Sequence, residues 1–293
     1  MDRVSKEAAP HVAVCIPAYD EATAIVATLR SIAACGYPSD HLEVTVAVDG
    51  GDSNVCRAAE AAGARVVTVV PNQGSYAARN AAAATASDAC VALLFTDADC
   101  VVSPGWIEAH LLALENAEIS GGAVQFRFAG STPTPAEWVD SLRHLNQRAY
   151  VERDGFAATC NLAVRRDTFD SVRFDSSLRT GGDADFCLRA RKDGARLVFT
   201  QDAPISHAAR PSAGALLAKV RRIASGAPRV RATQGRSDVP RRARLTLSPY
   251  RAARSRGVQV GLVWGLRACI LDYRCQRAMR AAFDRQSTKD PVL

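Results

Sequence analysis

In the stretch Val91-Ala92-Leu93-Leu94-Phe95-Thr96-Asp97-Ala98-Asp99-Cys100, an apolar run ends in two aspartates that are separated by one residue. The run predicts a buried strand, and the two-residue period of a strand places Asp97 and Asp99 on one side of the backbone, at the carboxyl edge of a sheet. Such a pair suits Mg²⁺ or Mn²⁺, which favour oxygen ligands and take one or two protein carboxylates beside substrate phosphates. A polar turn after a strand is the alternative, because Asp is common in turns.

Strands and helices alternate on the amino-terminal side of this stretch. We predict strands over residues 11–17, 43–49, 65–70 and 90–96, and helices over 22–35, 53–62 and 76–86. Ile25, Leu29 and Ile32 form one apolar stripe in the first helix. Alternation of this kind indicates an α/β fold with a mostly parallel sheet and helices on both faces, and ligands then bind beyond the carboxyl ends of the strands.

Polar and small side chains follow all four of these strands. The candidate residues in the first three loops are Pro17, Ala18, Tyr19, Glu21, Asp49, Asn72 and Gly74. Ordinary turns have no reason to concentrate acids at one end of a sheet, so we expect a ligand site there. The sequence has no G-x-x-x-x-G-K-[ST] and no G-x-G-x-x-G after the first strand, which argues against a P-loop enzyme and a dinucleotide-binding domain.

The pattern beyond residue 100 is less regular. We predict a helix over 107–114, a strand over 123–128, a loop that leads into a helix over 133–150, a helix opened by the Gly181-Gly182-Asp183-Ala184-Asp185 run and continued to residue 192, and a strand over 195–200. His207 is then predicted to lie in a polar loop.

Charge is distributed unevenly along the 293 residues, although the net charge is only +7. Residues 1–209 carry 18 basic and 26 acidic side chains, whereas residues 210–293 carry 19 basic and 4 acidic ones. The basic region therefore favours an anionic partner, either a membrane surface or nucleic acid. A codon-composition effect is the alternative, since Arg outnumbers Lys and Ala is abundant throughout.

The cysteines and the amino terminus bear on the cellular compartment. The nine cysteines include no C-x-x-C pair and no zinc-ligand spacing, so we expect reduced, mostly buried thiols. The amino-terminal residues lack the apolar segment of a signal peptide. We therefore expect an intracellular, cytoplasmic protein.

The ordered motifs resemble those of family 2 glycosyltransferases with the GT-A fold, from about Val12 to His207. The resemblance rests on Pro17-Ala18-Tyr19-Asp20-Glu21, Val48-Asp49, the run from Asn72 to Asn80, Thr96-Asp97-Ala98-Asp99, Gly182-Asp183-Ala184-Asp185 and His207. It implies a catalytic domain over 11–209, with a nucleotide-binding half (11–100) and an acceptor-binding half (101–209). Residues 1–10 would be a tail and 210–293 a basic, partly helical appendage.

The resemblance also implies roles for individual residues. The nucleotide-sugar donor would be bound by Pro17, Ala18, Tyr19, Glu21, Asp49, Asn72, Gly74, Arg79, Asp97 and Ala98. The metal, Mn²⁺ or Mg²⁺, would be held by Asp97, Asp99 and His207, and would neutralise charge on the leaving diphosphate. Asp183 would be the general base for the acceptor hydroxyl, with Gly182, Asp185 and Trp106 in the acceptor site. Asp49 could accept a hydrogen bond from the uracil imide, which favours a UDP-sugar.

Structural alternatives stand beside several of these roles. Asp183 could be a helix cap with Asp185 favouring the helix dipole, Arg79 a solvated helix cation, and His207 a surface residue. The sequence also departs from the family, which usually has Glu at the position of Gly182 and a second acid at that of Gly50. The first departure concerns the acceptor pocket, and the second concerns which nucleotide base the donor carries. The first also leaves a non-catalytic nucleotide-sugar binding protein as a rival.

The basic region ends in a predicted helix over 258–283, after a segment over 210–256 that we expect to be partly mobile. One face carries Val260, Trp264, Ala268, Leu271, Cys275, Ala278 and Ala282, and the arginines outside it are Arg267, Arg274, Arg277 and Arg280. Such a helix either packs on the catalytic domain or lies on an anionic membrane, which would be the inner face of the plasma membrane. Nucleic-acid binding is the less favoured alternative, because aromatic residues are sparse there.

Together these features predict a metal-dependent, inverting glycosyltransferase that moves a sugar from a nucleotide diphosphate to a hydroxyl of a carbohydrate or lipid-linked acceptor. We expect it to act in polysaccharide or glycolipid biosynthesis. We expect no nucleic-acid partner.

Overall fold

A computed structural model describes residues 9–233 and 242–289, with side chains described up to 226 in the first range and up to 285 in the second. The strands are β1 (His11–Ala18), β2 (Leu42–Asp49), β3 (Arg65–Val69), β4 (Cys90–Thr96), β5 (Cys100–Val102), β6 (Ile119–Arg127), β7 (Asn161–Arg165) and β8 (Leu197–Ala208). The helices are α1 (Ala22–Ala33), α2 (Ser53–Ala61), α3 (Ser75–Ala83), α4 (Trp106–Leu114), α5 (Pro135–Arg143), α6 (Gln147–Ala149), α7 (Arg166–Val172), α8 (Gly182–Lys192), α9 (Ala213–Thr233), α10 (Ser248–Ser255) and α11 (Leu262–Lys289).

All eight strands belong to one sheet with the order β3-β2-β1-β4-β7-β6-β8-β5. The strands β3, β2, β1 and β4 are parallel, as the alternating pattern predicts. Strand β7 is antiparallel to β4 and β6, whereas β6 and β8 are parallel and β5 is antiparallel to β8. The α/β class with a GT-A arrangement is therefore confirmed, and the carboxyl ends of the first four strands share one edge.

The two faces of β1 bury different side chains, as the strand period requires. Val14 and Ile16 pack with the α1 stripe of Ile25, Leu29 and Ile32. Alternate residues of β1 face a second cluster that includes residues of α3 and α8. Each fully buried aliphatic side chain contributes about 1.5–3 kcal/mol relative to exposure. Because both faces of β1 are covered in this way, the carboxyl edge of the sheet is held by a stable core.

Two elements of the irregular half differ from the prediction. Helix α5 ends at Arg143, because Leu145 takes a left-handed φ of 53°, and a short helix and a π-helical turn over Tyr150–Asp154 follow. Strand β8 continues to Ala208, so His207 lies in a strand and the predicted loop is wrong. The extension forms because β8 pairs with β6 on one side and with β5 on the other.

The carboxyl-terminal helices pack on the catalytic domain. Leu216, Leu217 and Val220 of α9 pack with residues of α5 and α11 in one apolar cluster. Trp264, Ala268, Leu271, Cys275 and Ala278, from the predicted apolar face of α11, belong to that cluster. This face is therefore covered by protein, as in the packing alternative, and is not available to a membrane.

Part of the segment 210–256, expected to be mobile, is helical in α9 and α10; residues 234–241 of it lie outside the described residues. Trp138 of α5 ties α10 to the domain, because its indole N–H donates to the carbonyl of Pro249 at 2.8 Å. Among the residues that the structure describes, no helix combines the length and hydropathy that crossing a membrane requires.

Candidate active site

A cleft of about 1130 Å³ opens at the carboxyl edge of the parallel strands. The predicted site residues that line it are Pro17, Ala18, Tyr19, Glu21, Asp49, Arg79, Asp97, Ala98, Asp99, Asp183 and His207. They come from the ends of β1, β2 and β4 and the loops that follow them, from α3, from the start of α8 and from β8. The topology thus brings most of the predicted donor, metal and base residues into one cavity.

The pairing of β5 with β8 positions the candidate metal ligands. Cys100 lies opposite His207 in this ladder, so Asp99 is brought to the imidazole. The Nε2 atom of His207 is 3.7 Å from the Asp99 carboxylate, and Nδ1 is 2.8 Å from the carbonyl of Ala208. A carbonyl only accepts hydrogen bonds, so Nδ1 donates in this contact and Nε2 faces the same space as the carboxylate.

Cys100 adds a third potential ligand, since one ligand atom from each of Asp99, Cys100 and His207 lies within 4.8 Å of the others. Burial and the charge of Asp97 raise the pKa of the Cys100 thiol well above its ordinary value. A protonated thiol is a poor ligand for a hard cation. The donor set that fits Mn²⁺ or Mg²⁺ is therefore the carboxylate and the imidazole.

Asp97 is held by Arg79 of α3. An Nη2 atom of Arg79 donates to the Asp97 carboxylate at 2.5 Å, and the guanidinium lies 5.5 Å from the centre of the Tyr76 ring. Arg79 is only 4% exposed, so it is not the solvated helix cation of the alternative interpretation. Its buried Nε has no hydrogen-bond partner among the residues that the structure describes, and the side chain lines the cleft.

Asp49 fixes the loop that follows β3. Its carboxylate accepts hydrogen bonds from the Asn72 side chain at 2.8 Å, from the Gln73 amide at 2.7 Å and from the Gly74 amide at 2.8 Å. Asn72 and Gly74 do not line the cleft and instead act through this loop. Asp49 itself reaches the cleft, so it can position the loop and still face a ligand.

Gly50 explains one departure from the family pattern. Its φ of +98° lies in the left-handed region, and a Cβ at this position would be 3.2 Å from the Tyr19 ring. A second acid after Asp49 would be strained in this backbone conformation.

Asp183 lies in the first turn of α8, where its carboxylate accepts hydrogen bonds from the Ala184 amide at 2.9 Å and the Tyr76 hydroxyl at 3.3 Å. The residue that caps the helix is Gly181, so the cap interpretation of Asp183 is wrong. Burial raises the pKa of Asp183 above its ordinary value, against the opposing effect of these hydrogen bonds and of Arg79. A raised pKa makes the carboxylate a stronger proton acceptor.

None of the three predicted acceptor residues, Trp106, Asp185 and Gly182, lines the cleft. Trp106 has no exposed surface, and its indole N–H donates to Asn161 inside the core at 2.9 Å. Asp185 faces away from the cleft and pairs with Arg189 at 2.8 Å, which in turn donates to carbonyls at the end of α7. Both residues therefore stabilise the fold.

Gly182 does not line the cleft, but its lack of a side chain shapes it. A Cβ at Gly182 would lie 2.7 Å from the ring of Tyr76, whose hydroxyl contacts Asp183. The tyrosine thus occupies the space into which a larger residue at this position would project.

The sequence interpretation missed one wall of the cleft. The residues concerned are Tyr76, His144, Tyr150, Arg153, Phe156, Arg210, Lys219 and Arg222. The only signal for the last three was the onset of the basic region just after His207, combined with the apolar stripe of Leu216, Leu217 and Val220.

A GT-A sheet whose edge presents paired carboxylates, a histidine and a separate half-buried carboxylate defines the class of nucleotide-sugar glycosyltransferases. The family described as Glycosyltransferase like family 2 matches residues 9–226. This chain belongs to that family, and it is a nucleotide-sugar glycosyltransferase. The rival interpretation as a non-catalytic binding protein is therefore wrong.

Related proteins agree with this placement. Glycosyltransferase AglE of Haloferax volcanii is 33% identical over 225 residues, which cover 74% of this chain and 73% of AglE. The mannosyltransferase PcManGT from Pyrobaculum calidifontis, solved with GDP-Man and Mn²⁺, has a TM-score of 0.63 at 20% identity and covers 96% of this chain and 87% of its own.

TarS of S. aureus shares the fold as well. Its residues 1–349, solved with UDP, have a TM-score of 0.54 at 15% identity, covering 97% of this chain and 92% of that fragment. This chain spans 39% of a longer TarS chain. At these identities the similarity to the solved structures concerns the fold alone.

Proposed function

We propose that the protein is a metal-dependent, inverting glycosyltransferase that uses a nucleotide-diphosphate sugar, with UDP favoured, and a hydroxyl of a carbohydrate or lipid-linked acceptor. Its role would be in polysaccharide or glycolipid biosynthesis. The observation that carries the proposal is the pairing of Asp99 with His207 at 3.7 Å in the same cleft as the half-buried Asp183. One corner suits a metal and a diphosphate, and the other suits proton removal.

The metal would be Mn²⁺ or Mg²⁺, held by Asp99 and His207 with Asp97 beside them. When bound, it would neutralise the charge that develops on the leaving diphosphate. The mixed oxygen and nitrogen donor set favours Mn²⁺ over Mg²⁺, because imidazole is a softer ligand than carboxylate. The reported complex of PcManGT with Mn²⁺ supports this assignment.

The donor would lie along the loops after β1 and β2. Tyr19 is exposed at the rim, and Asp49 can accept a hydrogen bond from a base N–H beside the three that hold the loop. The buried Arg79, with a free Nε, supplies a positive charge next to Asp97. UDP and GDP-Man in the related structures support a nucleoside diphosphate in this region.

Asp183 would act as the general base. Inverting transfer needs one carboxylate that takes the proton of the acceptor hydroxyl while its oxygen attacks the anomeric carbon from the face opposite the diphosphate. The Tyr76 hydroxyl fixes the Asp183 carboxylate, and the raised pKa strengthens it as a base. Asp183 and the metal held by Asp99 and His207 would then lie on opposite sides of the reacting carbon of the donor sugar.

A thermal-shift panel of nucleotide sugars, UDP and GDP tests the donor and metal assignments together. We expect stabilisation by one nucleotide diphosphate in Mn²⁺, its loss in EDTA, and its loss in Asp99→Ala. Asp88→Ala, an exposed acid away from the cleft, is the matched control. Absence of any metal-dependent stabilisation by a nucleoside diphosphate would contradict the proposal.

Peripheral attachment to an anionic membrane would follow from the exposed side of α11. Leu262, Val263, Leu266 and Ile270 are 77%, 67%, 57% and 42% exposed. Arg267, Arg274 and Arg277 are exposed on the same helix. An apolar half followed by a basic half suits the interface of a membrane that carries anionic lipids. This surface differs from the packed face on which the sequence interpretation concentrated.

Sedimentation with vesicles of phosphatidylglycerol and phosphatidylcholine tests the attachment. We expect wild type to sediment and both Leu262→Ser/Leu266→Ser and Arg274→Glu/Arg277→Glu to stay in solution. Arg57→Glu, at an exposed arginine of α2, serves as the charge control. Equal sedimentation of wild type and both double variants would contradict the proposal.

A further inference from the structure

The cationic side chains in the cleft are not all neutralised. Three of the five basic residues that line it are paired: Arg79 with Asp97 at 2.5 Å, Arg153 with Asp154 at 2.9 Å and Lys219 with Asp140 at 2.7 Å. Arg210 and Arg222 have no acidic partner within the described ranges. Two guanidinium groups without an acidic partner in the described ranges therefore line the cleft.

Helix α9 places Arg222 between the part of the cleft near His207 and the part near Asp183. Lys219, Arg222, Ile223 and Gly226 line the cleft with the spacing of one helical face. Lys219 lies 5.8 Å from the Phe126 ring, which is 6.0 Å from that of His207, so this end of the face is the metal end. At the other end, a Cβ on Gly226 would be 2.6 Å from Thr180, just before Asp183. With a rise of about 1.5 Å per residue, Arg222 lies about 5 Å from Lys219 along the axis.

Arg210 is anchored on the same wall. It follows His207 by three residues, and its backbone N–H donates to Asp140 at 3.0 Å. Asp140 also accepts from Lys219 and from His144 at 2.8 Å, so its charge is satisfied within this buried cluster. The cluster fixes the backbone of Arg210, while the guanidinium remains available to the cleft.

We propose that Arg210 and Arg222 form an anion subsite for a phosphate group of the acceptor, which makes the acceptor a phosphate-bearing saccharide or saccharide-linked phosphoester. The inference rests on the proposed transferase function. The guanidinium fork matches a phosphate in a bidentate geometry. The donor diphosphate has its own cations, namely the metal at Asp99 and the buried Arg79. Arg222 faces the region between metal and base, where the acceptor must lie.

Calorimetric titration with octyl phosphate, in the presence of saturating Mn²⁺ and the preferred nucleoside diphosphate, tests this subsite. We expect wild type to bind the probe, and Arg222→Gln and Arg210→Gln each to weaken binding about tenfold or more. Arg221→Gln, an exposed neighbour outside the cleft, should change it less than twofold. Affinity for the nucleoside diphosphate should stay within about twofold in all three variants.

Several outcomes would overturn the inference. They are the absence of probe binding by wild type, equal weakening by Arg221→Gln, and a tenfold loss of nucleoside diphosphate affinity in Arg222→Gln, which would assign the arginine to the donor. Failure of the proposed function itself would show separately, as wild type that binds no nucleoside diphosphate with Mn²⁺. Thermal unfolding of each variant verifies that it is folded.

Discussion

The two walls of the cleft hold charge in opposite ways. On the strand-end wall, acids face the cavity and are positioned by neighbours close by in the sheet edge, as Asp49 is by the loop after β3 and Asp97 is by Arg79. On the helical wall, the acid Asp140 is buried beneath the surface, and arginines face the cavity. One wall therefore attracts cations and the other attracts anions.

The two walls are also held to the rest of the domain by different interactions. The strand-end wall is an extension of the hydrogen-bonded sheet. The helical wall depends on the ion pair of Asp140 with Lys219, which joins α5 to α9, and on one apolar cluster. We infer that the strand-end wall is the more rigid of the two, and that the helical wall can be weakened by a single substitution.

Replacing Asp183 tests the contribution of the base, and we expect this to be the largest effect. Asp183→Asn should lower kcat/KM by about 10²–10⁴-fold, since it removes the proton acceptor. Affinity for the nucleoside diphosphate should persist, and the melting temperature should not fall, because the buried charge is removed. Asp193→Asn, an exposed acid at the end of the same helix, is the kinetic control. Activity of Asp183→Asn within threefold of wild type would rule out this base.

Removing Asp140 tests the fastening of the helical wall. Asp140→Ala leaves the buried Lys219 without its partner, which should lower the free energy of unfolding by about 3–5 kcal/mol. Urea denaturation measures the loss, and Lys219→Met added to Asp140→Leu should recover part of it. A loss below about 1 kcal/mol would show that the helical wall does not depend on the ion pair of Asp140 with Lys219.

Acid titration examines the same carboxylate without mutation. Burial alone would raise the pKa of Asp140, but His144 and Lys219 outweigh it and hold the pKa well below its ordinary value. A depressed carboxyl pKa contributes stability above the unfolded value of about 4 and loses it as the pH falls towards the folded value. The unfolding free energy of wild type should therefore drop below about pH 4, and more steeply than that of Asp140→Asn.

On the strand-end wall, Asp49→Ala should have a smaller effect on stability and a clear one on the donor. Losing the hydrogen bonds to the loop after β3 should cost about 2 kcal/mol and weaken nucleoside diphosphate binding. The matched control is Asp52→Ala, which removes the cap of α2 at a cost of about 1 kcal/mol. If both variants bind the nucleotide equally well, Asp49 serves the fold only.

The smallest expected effect is a shift of the pH profile. Because burial raises the pKa of Asp183, kcat/KM should rise with pH through a value above the ordinary carboxyl pKa of about 4. The Tyr76 hydroxyl lowers that pKa, so Tyr76→Phe should move the limb to higher pH by a few tenths of a unit. A limb that moves to lower pH would contradict the hydrogen bond.

The strand-end wall was the part that sequence could predict. Strand ends, their polar loops and the Asp97–Asp99 pair follow from local periodicity, and the structure brings most of these residues into one cleft. The loop with Asn72 and Gly74 follows β3 as predicted, but neither residue lines the cleft, and their hydrogen bonds to Asp49 depend on a contact between separate strands.

The helical wall could not be derived in this way. His207 faces Asp99 only because β8 extends to pair with β5, a strand of three residues. Lys219 reaches Asp140 across long sequence separation, and Trp106 is buried because Asn161 offers it an acceptor in the core. Such pairings depend on tertiary packing, which periodicity within a single element does not encode.

The contact between Gly182 and Tyr76 restricts how this sequence can change. Since any Cβ at position 182 would meet the Tyr76 ring, a glutamate there requires the ring to move or to be replaced. A smaller residue at position 76 would take away the hydroxyl that contacts Asp183. Substitutions at the two positions are therefore coupled.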